Sequence, residues 1–168
     1  MVNIYYNFLL KSVTMKDRRD LIHKLFHLLF FMLYILLIYF SLRSFLFCNH
    51  SWYSWIGLGL AVFGLLFIIY SSYLRKKSSN NGNFSKEGIY SLIRHPEFLG
   101  HIIFIWGLLV LGYSFIALFL AIILTVFMIV AIFEEDRKNI KKFGESYKEY
   151  VEQIPRVNII ISVFKRLK

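Results

Sequence analysis

The chain has 168 residues, of which 58% are hydrophobic, 19% aromatic and only 18% charged. That balance excludes an ordinary soluble domain of this size and places the chain, as a single domain over residues 1–168, in the integral-membrane class. The net charge of +10 does not call for nucleic acid, because basic residues flanking apolar spans set topology and meet lipid headgroups; the lone Cys48 excludes an intramolecular disulfide and a cysteine-built metal cage.

Residues 1–24 form a short segment that turns basic toward its end (Lys16, Arg18, Arg19, Lys24) and fits a brief interfacial helix. From Leu25 to Leu42 run 18 uncharged residues, enough for a first transmembrane helix over 25–42. No small-residue cleavage site follows, so this span is expected to be retained. His23 and His27 share a helical face at a zinc-competent spacing, but no third ligand is near and no metal is expected. Asn49-His50-Ser51 fits a glycosylation acceptor, a pattern so short that it recurs by chance.

The second span is expected over 52–73, because Trp52, Tyr53, Trp55, Tyr70 and Tyr73 mark two interfacial belts. Gly57, Ala61 and Gly64 form a small-residue stripe along it, and Gly100 and Gly107 repeat the spacing further on, a pattern that admits a neighbouring helix at close range. Arg75-Lys76-Lys77 stops the span and opens a polar loop over 75–97.

Phe98 to Phe133 is a run of 36 residues without Asp, Glu, Lys or Arg. One span needs ~20 residues, so the run reads as a tight helical hairpin. Gly112-Tyr113-Ser114 supplies the turn between a third span at 98–112 and a fourth at 115–133. With four spans, 19 of the 20 Lys and Arg fall on one side, the positive-inside signature of a multi-pass protein with both termini in the cytoplasm. Four short spans with no added domain or retention signal favour a bacterial inner membrane. The tail over 134–168 carries Ile140, Phe143, Tyr147, Tyr150 and Val151 at spacings of three and four, an amphipathic cytoplasmic helix that lies on the membrane or folds back over the hairpin. Pro155 ends it, and Val157 to Phe164 is a further apolar patch. The expected fold is therefore all-α and integral to the membrane, with about four transmembrane helices, the last two a hairpin, and a C-terminal helix outside.

The hairpin brings Arg94-His95-Pro96 and Glu134-Glu135-Asp136 to one water boundary. The arm before the turn is short, so His95 and Pro96 are drawn to or below the headgroups. Pro96 suits the first helical position, where free backbone donors, the helix dipole and Arg94 make an anion site. The three acids, placed at the end of the last span, need a cationic partner. A molecule carrying both signs, such as S-adenosylmethionine, satisfies both walls; the alternative is that Arg94 and the acids pair with each other or with Arg137 and simply close the hairpin.

Arg94-His95-Pro96-x-Phe98-x-Gly100, then Glu135-Asp136, then Phe143-Gly144-x-x-Tyr147-x-x-Tyr150 and Ile154-Pro155-Arg156 resemble, in order and spacing, the C-terminal half of the isoprenylcysteine carboxyl methyltransferase and phospholipid methyltransferase superfamily. The likeness covers roughly Gly88 to Arg156. It implies a small membrane methyltransferase that binds S-adenosylmethionine at the cytoplasmic face and methylates a lipophilic acceptor from the bilayer: an isoprenylcysteine-like carboxylate, a lipid amine or a small thiol. By that likeness His95, Pro96, Phe98 and Gly100 line the cofactor site with Glu135, and Tyr147 belongs to the same motif series. Arg94 and Glu134 join the cofactor set on charge, and Glu135 and Arg137 are placed nearest the reacting centre, Glu135 as a base if the acceptor must lose a proton. Phe98 stands where the family has tyrosine, Asp136 replaces a second glutamate, and the second proline after Arg156 is absent. Two other readings are a non-catalytic relative whose hairpin packs against partner helices and a sterol-reductase-like enzyme using a nicotinamide cofactor. The sequence leaves the oligomeric state open.

Overall fold

The computed structural model describes residues 2–47, 52–80 and 83–157, with side chains described from Lys24 onward and, in the second stretch, as far as Ser78. Cys48, the Asn49-His50-Ser51 triplet, the side chain of His23 and all but the first residue of the Val157 to Phe164 patch lie outside that description.

The fold is all-helical: α1 (Val2–Phe47), α2 (Trp52–Asn80), a 3-10 turn (Gly88–Ser91), α3 (Pro96–Leu111), α4 (Phe115–Phe143) and α5 (Glu145–Gln153). Lys24–Phe47 of α1, Trp52–Ser78 of α2 and α4 are long and apolar enough to cross a membrane, and α3 is a shorter apolar helix. α1 runs unbroken where a separate segment over 1–24 was expected, because no glycine or proline precedes Gly57 and charge alone does not interrupt a helix. For the same reason α2 continues through Arg75-Lys76-Lys77 to Asn80: arginine and lysine stop a membrane crossing but are good helix formers.

Consecutive helices alternate in direction. Tyr34 stacks on Phe104 and Ser41 abuts Gly112, so α1 runs parallel to α3. Phe26 meets Phe127, so α4 runs antiparallel to α1. α2 and α3 are joined by the small-residue stripe. A Cβ on Gly57 would sit 2.2 Å from the Leu111 nitrogen, one on Gly64 2.6 Å from that of Phe104, and one on Gly107 2.5 Å from that of Ala61. Backbones this close leave no room for a methyl group, which is the gain of small residues where lipid supplies no hydrophobic drive between helices. The register is antiparallel, and extended by two turns it sets Ser72 and Arg75 of α2 beside Glu97 of α3.

The hairpin turn lies at Gly112 to Ser114. Gly112 packs on the Ser41 backbone, and the Ser114 hydroxyl caps α4 by accepting from the Ala117 N–H at 3.1 Å. Along α4 the buried positions Ala117, Ala121, Leu124, Met128, Ile132 and Asp136 recur every three or four residues, so one acid is in phase with the core. Leu28, Phe31, Ile35 and Tyr39 keep the outer stripe of α1 exposed, as do Phe63, Leu66 and Tyr70 on α2. Faces this apolar belong against lipid. Gly144, at φ +63°, takes the left-handed conformation that turns the chain from α4 into α5. α5 thereby folds back over the hairpin and buries Tyr147 and Tyr150.

Candidate functional site

Asp136 is the hub at the charged end of the bundle. Its Oδ1 accepts from Arg94 Nη1 at 2.9 Å, His95 Nε2 at 2.8 Å and the Tyr147 hydroxyl at 3.0 Å, while Oδ2 accepts from Arg156 Nε at 2.9 Å. Arg94 and Asp136 are only 6% and 5% exposed, so each charge depends on the other for what water would otherwise supply. His95 must carry its proton on Nε2 to donate to a carboxylate. The backbone joins in: Arg94 N–H donates to Pro155 O at 2.9 Å and His95 N–H to Arg156 O at 3.0 Å. The Arg-His-Pro and Pro-Arg stretches are thus two halves of one clasp.

This corrects the expectation for the acids. α4 runs two turns beyond Asp136, so Glu134, Glu135 and Asp136 stand within a helix and not at its end, and the helix dipole does not act on them there. The partner of Asp136 comes from within the chain.

Above the clasp lies a cavity of about 520 Å³, within the ~300–1,000 Å³ of typical ligand pockets. Arg94, His95, Phe98, Glu135 and Tyr147 line it, as do Lys76, Lys142, Phe84, Tyr90 and Tyr150. Phe84 packs its ring against Phe143, Tyr147 and Tyr150 at centroid distances of 5.1, 5.0 and 5.2 Å. The Tyr150 hydroxyl donates to Tyr90 O, and the Tyr90 hydroxyl to Ser71 O. Burial pushes the Tyr147 phenol up to about 12, and those of Tyr90 and Tyr150 upward as well. All three therefore stay neutral donors. Arg94 Nε is buried with no hydrogen-bond partner among the described residues.

A second cavity of about 260 Å³ opens between α1, α3 and α4, lined by Phe26, Phe30, Phe127, Met128, His101 and Glu134 among others. The two cavities have Arg75, Glu97, Phe98 and Glu135 in common. In that shared wall Arg75 Nε lies 3.0 Å from Glu97 Oε2 and its Nη2 donates to Glu97 Oε1 at 3.1 Å. Ser72 donates to the same oxygen at 2.9 Å, whereas Arg75 reaches Glu135 only at 3.6 Å.

The remaining expected site residues fall elsewhere. Pro96 is buried at the first position of α3, and Gly100 faces α2, within 3.2 Å of Gly64 O for an added Cβ. Glu134 lines the smaller cavity and reaches Lys138 at 3.8 Å. Arg137 is exposed and lines neither cavity. Among the described residues no group of three or more His, Cys, Asp or Glu is placed to hold a metal ion. Arg75, Phe84, Tyr90 and His101, the last with its Nδ1 3.1 Å from the Tyr34 hydroxyl, were not singled out from sequence. Arg75 had a signal: the glycine register carried two turns further pairs it with Glu97. His101 is the one histidine in the uncharged run, a mark of function inside a membrane.

Fold and site together define a multi-pass helical membrane protein with a polar cavity at one end and a smaller one beside it, walled by both apolar and charged side chains. The chain belongs to the family described as "Protein of unknown function (DUF1295)", which it matches over residues 6–154. It is also similar to a Protein-S-isoprenylcysteine O-methyltransferase of Schizosaccharomyces pombe, 33% identical over 72 residues, which is 41% of this chain and 30% of that protein. The chain thus spans under a third of that relative's length. No solved structure matches the chain.

Proposed function

We propose that the protein is an integral-membrane methyltransferase that uses S-adenosylmethionine to methylate a lipophilic acceptor drawn from the bilayer. One observation carries this reading: a polar, aromatic, cation-lined cavity of about 520 Å³ and one of about 260 Å³, walled by Phe26, Phe30, Phe127 and Met128 of α1 and α4 as well as by charged side chains, meet at a wall of four side chains. A water-soluble donor and a membrane-borne acceptor need separate entrances and a common boundary, and the partial likeness to an isoprenylcysteine methyltransferase adds to the same reading.

The residues present fit the donor. Arg94 Nε has a proton to give, and Lys76 and Lys142 add positive charge to the same walls, suiting a carboxylate. Glu135 and the Phe98 ring, both in the shared wall, suit a sulfonium. The donor supplies an electrophilic methyl group whose transfer disperses charge. The chain's task is then to align the two reactants and keep water out, which Phe98 and the aromatic rings from α1 and α4 serve. Glu135 reaches both cavities and takes a proton from a thiol or amine acceptor; a carboxylate acceptor needs no base. The Lys- and Arg-rich end of the bundle, by the positive-inside rule, faces the cytoplasm.

The test is transfer of labelled methyl from S-adenosylmethionine to organic-extractable material, using the full chain in lipid nanodiscs supplied with lipids extracted from its host membrane. Wild-type protein labels the extract, and Glu135→Gln lowers the rate at an unchanged melting temperature, by ~100-fold or more where the acceptor is a thiol or amine. Absence of nucleoside binding and of labelling, or binding of a nicotinamide nucleotide in its place, overturns the reading.

A further inference from the structure

Glu97 and Glu135 share a wall but are not equally committed. Glu97, 18% exposed, has both oxygens held by Arg75 and one also by Ser72. Glu135, 33% exposed, has a single cationic contact among the described residues, the 3.6 Å approach of Arg75. Lys76 lines the larger cavity from the same helix but makes no ion pair with Glu135. The seam of small residues between α2 and α3 holds Arg75 in register with Glu97, so its guanidinium can release Glu135 without leaving its main partner.

We propose that Arg75 is a positioning residue that occupies Glu135 while the wall is closed and yields that carboxylate to a cationic ligand, so that the advantage Glu135 gives a sulfonium over a neutral thioether is tempered by the cation the sulfonium displaces. This rests on the methyltransferase reading and adds to it what limits the preference for fresh donor over spent. A sulfonium placed at the wall competes with Arg75 for Glu135 and opens the boundary between the cavities as it does so. A neutral thioether displaces nothing, and the Arg75–Glu135 contact stays made.

The experiment is calorimetric binding of S-adenosylmethionine and of S-adenosylhomocysteine to the full chain in nanodiscs, read as the ratio of the two affinities. Arg75→Gln removes the competitor and raises the preference for the sulfonium by ~5-fold or more, the lower end of coupling between interacting sites. Arg75→Lys brings the ratio back toward wild type. Glu97→Gln frees Arg75 to pair fully with Glu135 and moves the ratio the opposite way. Lys76→Gln removes the same charge from the same cavity and shifts the ratio by less than half as much. An unchanged ratio in both Arg75→Gln and Glu97→Gln, or an equal shift in Lys76→Gln, overturns the role of Arg75 while leaving the methyltransferase reading intact. If wild-type protein binds neither nucleoside, both fall. Should Arg75→Gln fail to fold, as judged by its melting profile, the Arg75→Lys and Glu97→Gln ratios decide the matter.

Discussion

The Asp136 clasp and the Arg75–Glu97–Glu135 wall lie at the same end of the bundle and use the same chemistry, acids of α3 and α4 met by arginines. They differ in how fully the acids are occupied. Asp136 is buried and takes four donors from three parts of the chain. Glu135, its neighbour in sequence, is partly exposed, reaches both cavities and has one long contact. A saturated buried carboxylate holds structure together; an undersupplied one beside a cavity has capacity left for a ligand.

The sharpest way to break this comparison is at the clasp. Asp136→Ala leaves Arg94 charged and buried without a partner, a loss of ~3–5 kcal/mol, read as a lower melting temperature of the detergent-solubilised protein; Glu135→Gln leaves that temperature unchanged. A smaller effect is expected for Tyr147→Phe, which deletes a hydrogen bond to a carboxylate worth ~1.5–3 kcal/mol. The same phenol gives a pH signature. Burial raises it to about 12 in the folded chain, above the ~10 of an unfolded tyrosine. Its contribution is therefore complete below pH ~10 and is lost as the pH rises toward about 12. Melting temperatures across that range should fall more steeply for wild type than for Tyr147→Phe, and parallel curves would remove Tyr147 from the clasp. The smallest effect is expected for Arg137→Ala. Its side chain is exposed and lines neither cavity, so nucleoside affinity should not move, and a tenfold loss would restore it to the site.

Much of the scaffold was legible because membrane helices announce themselves by length and charge. The uncharged run from Phe98 to Phe133 and Gly112 gave the hairpin, and the spacing of Gly57, Gly64, Gly100 and Gly107 gave the seam. Helix ends were less legible, since arginine and lysine bound a span without ending a helix, as α2 demonstrates. At the site, sequence grouped Glu134, Glu135 and Asp136 as one acidic wall. Their different fates follow from helical phase: Asp136 continues the buried series Leu124, Met128, Ile132, while Glu134 and Glu135 point to its flanks. Counting back along the core stripe would have separated them. Phe84 left no such trace, because its place over Tyr147 and Tyr150 depends on the path of an irregular loop.

The clasp between Arg94-His95 and Pro155-Arg156 also orders events during synthesis. All four apolar helices leave the ribosome before residue 156 does, so insertion into the bilayer precedes completion of the site. A chain interrupted after Phe143 would keep every membrane helix and its glycine seam yet lack Tyr147, Tyr150 and Arg156, leaving Asp136 with two of its four donors. Such a fragment would hold its helical bundle while the larger cavity lacked the wall made by Tyr147 and Tyr150.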